Sequence, residues 1–271
     1  MRIKRELSLS PRSGRKHLAQ GASPGSRPRS VLATLCALLL GGLLLLPGRA
    51  GSRPAPLLAA VRGRVELLNA KAKARDGRAD ASGVVVWLVG EGGARPGRVR
   101  RTLTQREKRF APHVMAIGLG TEVDFPNEDP FFHNVFSVYN GKRFDLGLYA
   151  SGETRPVLFN RPGVSFIFCN IHPQMSAVVV TLETPYFAVS GPDGGFAIAD
   201  VPEGSYRLGI WHERSDPEQL SAQSRAVRVE GAGVDLGAIR LSEADYIVRP
   251  HLDKHGAEYR RERGRPGYGK P

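Results

Sequence analysis

The sequence predicts an all-β protein built from two sandwich-type units, and three observations carry that reading. Thirty-two glycines and 20 prolines divide the 271 residues into short apolar runs, a composition that suits strands joined by turns better than a helical bundle. Those runs recur at short, regular spacing with Gly, Pro, Asn or Asp between them, the pattern of an antiparallel sandwich or barrel. No stretch sustains a helical period, and no internal repeat is present.

The chain opens with a targeting segment. Residues 1–30 are rich in Arg, Lys, Ser, Gly and Pro, residues 31–46 are apolar, and Gly48-Arg49-Ala50 supplies small residues for cleavage. A basic region, a short apolar region and a small-residue site make a secretory signal. The alternative is a retained N-terminal anchor, although 31–46 falls short of the roughly 20 residues a bilayer span needs. Residues 1–50 are therefore expected to be a signal peptide or anchor, with the remainder in the periplasm or another extracytoplasmic space. A membrane would be met only through an uncleaved anchor.

The formal charge of +13 belongs mostly to this segment. Residues 1–50 carry nine basic residues and one acid, a net +8; the rest carries 30 basic and 25 acidic residues, a net +5. No nucleic-acid motif accompanies the charge, so nucleic acid is not an expected partner. The basic residues between Lys71 and Arg109 read as a solvated loop face with a mild preference for acidic partners.

Strands are expected at 62–67 and 84–89, separated by a polar insertion at 69–82. A second basic loop, 90–109, leads to strands at 114–117, 122–125, 133–138, 144–149, 155–159, 164–169 and 177–182. A further β unit begins at 187–189 and the turn Ser190-Gly-Pro-Asp-Gly-Gly195. It continues through 196–198, 201–204 and 206–211 and closes with 226–229 and 234–241. The expected organisation is thus 58–183 as a first domain, 185–243 as a second, and 244–271 as a polar tail, loosely ordered or draped over a domain.

Chemistry concentrates in Phe166-Ile-Phe-Cys169-Asn-Ile-His172-Pro-Gln-Met175. A thiolate, an imidazole and a thioether lie within seven residues, and the Cys ends an apolar strand. Period-two alternation puts Phe166 and Phe168 on one face, Ile167 and Cys169 on the other. Cys36 lies in the targeting segment, so Cys169 stands alone after export and forms no internal disulfide. Thirty-six residues upstream, His133 opens a strand after the turn-rich Phe125-Pro-Asn-Glu-Asp-Pro-Phe-Phe run. Two imidazoles, one thiolate and one weak axial thioether form the blue-copper donor set. His133, Cys169, His172 and Met175 are accordingly the expected ligands of one copper ion cycling between Cu(I) and Cu(II). Zinc can use Cys and two His, but a Met in the fourth position argues against it.

At these residues the region 58–183 resembles the cupredoxins, the plastocyanin and amicyanin group, and its C-x2-H-x2-M loop is most similar to amicyanin. The resemblance implies a Greek-key β-sandwich. It also implies that Asn134, following the first His, hydrogen-bonds toward the ligand loop and supports the site. The insertions at 69–82 and 90–109 depart from that family. Residues 185–241 resemble the carboxypeptidase-regulatory-like, transthyretin-like (prealbumin-like) β-sandwich, on the run Asp193-Gly-Gly-Phe-Ala-Ile-Ala-Asp-Val-Pro-Glu-Gly-Ser-Tyr-Arg-Leu208. The combination is similar to proteins labelled methylamine-utilisation proteins, which implies a redox setting.

These residues point to one-electron transfer with an unidentified redox partner protein, for which the basic surface sets a mild preference for an acidic one. The alternatives are a copper carrier without redox exchange and a structural or carbohydrate-contacting β module. An enzyme is not expected. The seven histidines include no His-x-His pair for a multicopper oxidase, and one loop Cys does not make a binuclear centre. His212 reads as structural or surface-exposed, and His113 and His251 have no supporting pattern.

Overall fold

In the computed structural model of the chain, residues 58–74, 77–90, 95–138, 141–247 and 251–259 are described. The expected signal or anchor at 1–50 lies outside them. In chain order the elements are β1 (Leu58–Leu68), β2 (Val85–Gly90), β3 (Arg100–Thr102), β4 (Thr104–Arg106), β5 (Arg109–Ala111), β6 (Val114–Gly118), β7 (Thr121–Pro126), β8 (His133–Ser137) and β9 (Phe144–Tyr149). They continue with β10 (Thr154–Phe159), β11 (Gly163–Phe168), β12 (Ser176–Leu182), β13 (Phe187–Val189), β14 (Gly195–Pro202), β15 (Gly204–Trp211), α1 (Pro217–Ala222), β16 (Ala226–Val229) and β17 (Gly233–Ser242). The all-β expectation holds: α1 is a six-residue turn of helix, capped by the Asp216 carboxylate on the Glu218 amide at 2.7 Å.

Four sheets stack as two sandwiches. In the first, a five-stranded sheet β6-β12-β11-β8-β9 faces a three-stranded sheet β10-β7-β3. β8 and β11 are neighbours although β9 and β10 intervene and β10 belongs to the opposite sheet, a Greek-key crossover. Leu103, Ile117, Val123, Phe125, Val135, Phe159, Ile167 and Val179 fill the space between the sheets.

The second sandwich corrects the expected domain limits. Its sheets are β14-β1-β17 and β13-β2-β15-β16, so β1 and β2, expected within 58–183, pair with strands from 187–242. β1 runs antiparallel to β14 and parallel to β17, from Ala60↔Gly233 to Leu68↔Ser242. β2 lies between β13 and β15. Burial explains the arrangement. Val61, Val65 and Leu67 alternate inward on β1, Val84, Val86 and Leu88 do so beside them, and they close over Phe196, Ile198, Leu208, Val229 and Ile239. The first sandwich is thus carried on the chain between β2 and β13 of the second.

A third apolar cluster joins the two. Val178, Val180 and Leu182 of β12 meet Val85 of β2, with Trp87, Phe187 and Trp211 packed around them. This is why β12 is buried on both faces from Ala177 to Leu182, reading as a continuous apolar run rather than an alternating one.

A second correction concerns 90–109, expected as a solvated loop. β3 pairs in parallel with β7, and Leu103, just before β4, is buried with Gln105 and Phe110 of the β4–β5 hairpin in the first sandwich. The basic residues Arg101, Arg106, Lys108 and Arg109 are exposed, as expected. No helix among the described residues is long and apolar enough to cross a membrane.

Candidate metal centre

The centre forms where β8 begins and β11 ends. The single register pair Phe136↔Phe168 sets these strands side by side, which carries His133 and Cys169 to the same end of the sandwich. Beyond β11 the chain turns back at once. The Cys169 amide donates to the Met175 carbonyl at 3.3 Å, and the Met175 amide donates to the His172 carbonyl at 2.9 Å. The loop therefore closes on itself across the two sulfur residues. The expected alternation holds as well: Ile167 and Cys169 enter the sandwich core, while Phe166 faces the opposite side.

Three of the four expected ligands present their donor atoms to one another. Cys169 Sγ lies 3.6 Å from His133 Nδ1 and 3.7 Å from His172 Nδ1, and the two Nδ1 atoms are 3.2 Å apart. His133 and Cys169 are fully buried and His172 partly so. Among the described residues this is the one group of three or more His, Cys, Asp or Glu side chains close enough to share an ion. Met175 is fully buried in the same core cluster as Cys169. Phe131 roofs the pair of imidazoles, with ring centroids 5.2 Å from His133 and 5.6 Å from His172.

A residue that the sequence reading missed orients the first ligand. Asp129 Oδ2 accepts from His133 Nε2 at 2.8 Å. With the proton held at Nε2, the lone pair falls on Nδ1 and points at the sulfur, the usual way a carboxylate prepares a ligating imidazole. Asp129 is itself fixed by the β4–β5 hairpin: the Glu107 and Lys108 amides donate to its carboxylate at 2.6 and 2.9 Å. Asn127, almost fully buried, organises the same loop. Its side-chain amide donates to the Phe131 carbonyl at 2.8 Å, and its Oδ1 accepts from the Asp129 amide at 3.1 Å.

The expectation for Asn134 changes in detail. Its side-chain amide donates to Asp145 Oδ1 on β9 at 2.7 Å rather than to the ligand loop, because β8 and β9 form a hairpin with Asn134 and Asp145 on one face. It is the backbone amide of Asn134 that approaches the thiolate.

In the metal-free site the electrostatics favour the thiolate and a neutral His172, while His133 holds its proton more strongly, a proton that a metal would displace. Burial pushes the Cys169 thiol up, but the His133 hydrogen bond and the Asn134, Ile171 and His172 amides outweigh it and leave the pKa below the ordinary 9.0. Burial also lowers His133, yet Cys169 and Asp129 together hold it above 6.5. Burial, then the charges of His133 and Lys108, hold His172 below 6.5, so this ligand is neutral and available near neutral pH.

The donor set fits one soft or borderline ion. Corners about 3.5 Å apart stand about 2 Å from the centre of the triangle, the length of ordinary metal–nitrogen and metal–sulfur bonds.

No known family profile matches the chain, and no curated protein matches it. Among solved structures it is similar to a purple cupredoxin from Nitrosopumilus maritimus, at 24% identity over 30% of this chain and 98% of that one, with a TM-score of 0.28. It is also similar to a copper-containing nitrite reductase from Thermus scotoductus SA-01, at 24% identity over 43% of this chain and 28% of that one, with a TM-score of 0.30. A reduced amicyanin variant matches at 18% identity over 35% of this chain and 86% of that one, with a TM-score of 0.28.

Proposed function

We propose that this chain is an exported type 1 copper protein that passes single electrons and catalyses no reaction of its own. The observation that carries the proposal is the buried triangle of His133 Nδ1, Cys169 Sγ and His172 Nδ1 with the tautomer of His133 set by Asp129. Met175 is the proposed axial donor. Bound copper would supply a one-electron couple. The protein's part is to hold two imidazoles and a thiolate in one arrangement for both oxidation states, and to exclude water from two of them. Burial of Cys169 and His133 argues against a carrier, which needs its ligands accessible for handover.

The proposed electron port is the edge of His172. Ile171 and Phe132 are 44% and 59% exposed, and Pro130 and Pro173 are exposed beside them. Such an apolar rim suits a small, rapidly released contact. Lys108, over the Phe131 ring at 5.3 Å, and the exposed Arg106 and Arg109 would steer an acidic partner toward it, with a rate that falls as salt rises. The second sandwich is proposed, from its sequence resemblance, to be a transthyretin-like module.

The test is optical. Protein from residue 51 onward, loaded with Cu(II), should show the intense visible band of thiolate-to-copper charge transfer, and Cys169→Ser should abolish it while the protein stays folded. A folded, Cu(II)-loaded protein without that band would defeat the blue-copper reading. Rapid transfer of the copper to a chelator would make the chain a carrier instead.

A further inference from the structure

We propose that residues 251–259 form a strap that holds the metal-ligand loop in position, with His251, Lys254 and Tyr259 as its positioning residues. The inference builds on the metal reading above, and the contacts that carry it lie outside the ligand set. The Tyr259 hydroxyl donates to the carbonyl of Cys169 itself at 3.1 Å. The Lys254 amide donates to Asn170 Oδ1 at 3.0 Å. His251 Nε2 meets the Pro173 carbonyl at 2.6 Å, and its ring stacks on Phe168 with centroids 4.0 Å apart and planes 21° from parallel. Four positions in a row of six, from Phe168 to Pro173, are therefore gripped by one short segment from the far end of the chain.

The strap has its own internal construction. Asp253 Oδ1 accepts from the His255 and Ala257 amides, each at 2.8 Å. The Asp253 amide donates to the Ala257 carbonyl at 2.8 Å and the Gly256 amide to the Asp253 carbonyl at 3.0 Å. Gly256 takes φ +80°, a conformation that glycine adopts without a Cβ penalty. This turn doubles the chain back, so that His251 and Tyr259 meet edge to face at 5.2 Å and reach the loop from one side. Lys254 ties the strap to the sheet as well, through Asp145 Oδ2 at 2.7 Å. Asp145 also holds Asn134, the residue next to His133. The strap thus links the elements carrying His133 and Cys169 through a route that does not pass through the metal.

A ligand loop of five exposed or half-exposed residues, Asn170 to Gln174, between two buried sulfur residues gains from being held from outside. Fixing its carbonyls from outside limits the movement of His172 relative to Cys169, which sets how readily the ion leaves and how the donors sit around it.

The decisive variants are Tyr259→Phe, which removes one oxygen, and His251→Ala. The exposed His255→Ala serves as the control. In the full chain without metal, amide hydrogen exchange at residues 169–175 should rise about tenfold in both strap variants, the factor that the net worth of one hydrogen bond represents, while exchange in β1 and β2 stays unchanged. In the Cu(II)-loaded chain the same variants should release copper to a chelator about tenfold faster and shift the visible band, with His255→Ala matching the parent. Should His251→Ala fail to fold, Tyr259→Phe decides alone. Wild-type loop exchange and wild-type copper release in Tyr259→Phe would overturn the strap. Raised loop exchange in the metal-free variants of a parent that shows no charge-transfer band would sustain the strap while removing the copper reading.

Discussion

At the scale of single residues, Asp129 decides which nitrogen of His133 faces the sulfur. Removing it in Asp129→Ala frees the ring to flip or change tautomer and leaves the Glu107 and Lys108 amides without their acceptor. Copper affinity should fall about 10- to 100-fold, the range for losing such an outer partner, and stability by about 1–3 kcal/mol for the unpaired amides. Asp129→Asn, which keeps an acceptor oxygen, should recover much of the affinity. A Cu(II) competition titration alongside thermal melts checks both. Cys169, His172 and His133 were legible in the sequence because covalent spacing and a strand end announce them. Asp129 was not. In Asn127-Glu-Asp-Pro130 either acid could have been chosen, and the choice is made by the β4–β5 hairpin, which the polar sequence of 104–111 does not advertise. His251 carried no motif either, since its role is to stack on Phe168, whose partner is 83 positions away by number.

At the scale of elements, the β4–β5 hairpin shows why a functional strand pair was read as loop. Strand signals rest on apolar alternation and on Asn-Gly or Asp-Gly turns. This hairpin buries a glutamine, Gln105, between Leu103 and Phe110, and turns through Glu107 and Lys108 at φ 54° and 56°. Those left-handed positions strain residues with long side chains by about 1–2 kcal/mol each. Replacing both, as Glu107→Asn with Lys108→Gly, should therefore stabilise the fold by about 1 kcal/mol net of glycine's added chain entropy, seen as a higher melting temperature. Both amides still reach Asp129, so copper affinity should hold. The strap yields a pH prediction of its own. The Ala257 and His255 amides keep the Asp253 carboxyl below the ordinary 3.8. A depressed carboxylate stabilises its turn above the unfolded value and loses that contribution as pH falls through the folded one. Protection of 169–175 from exchange, taken relative to the intrinsic amide rate at each pH, should then fall on acidification below about pH 4, and Asp253→Asn should remove that dependence.

At the scale of the whole molecule, the two sandwiches were legible but their limits were not. Sequence proximity assigned 62–67 and 84–89 to the strands that follow them, whereas their partners lie at 187–242. Hydrophobic pattern reports which face of a strand is buried, not which of two cores buries it. The resemblance of 185–241 began at β13, and an inner strand of each of its sheets, β1 and β2, comes from before the first sandwich. Together with the apolar cluster around Val180, Val85 and Trp211, this makes the sandwiches mutually dependent. A chain beginning at Arg95 would lose the middle strand of one sheet and an inner strand of the other and should fail to fold. In the intact protein, unfolding should be a single cooperative event. Two probes sit in different parts: the chain's two tryptophans, Trp87 and Trp211, lie on strands of the second sandwich at its junction with the first, and the buried thiol of Cys169 lies at the far end of β11 in the first. In urea, tryptophan fluorescence and the fraction of Cys169 open to a thiol reagent in the metal-free protein should share one midpoint, because opening either sandwich exposes the cluster that seals the other. Distinct midpoints would show that the sandwiches unfold independently, and that the joining cluster contributes less than its burial indicates.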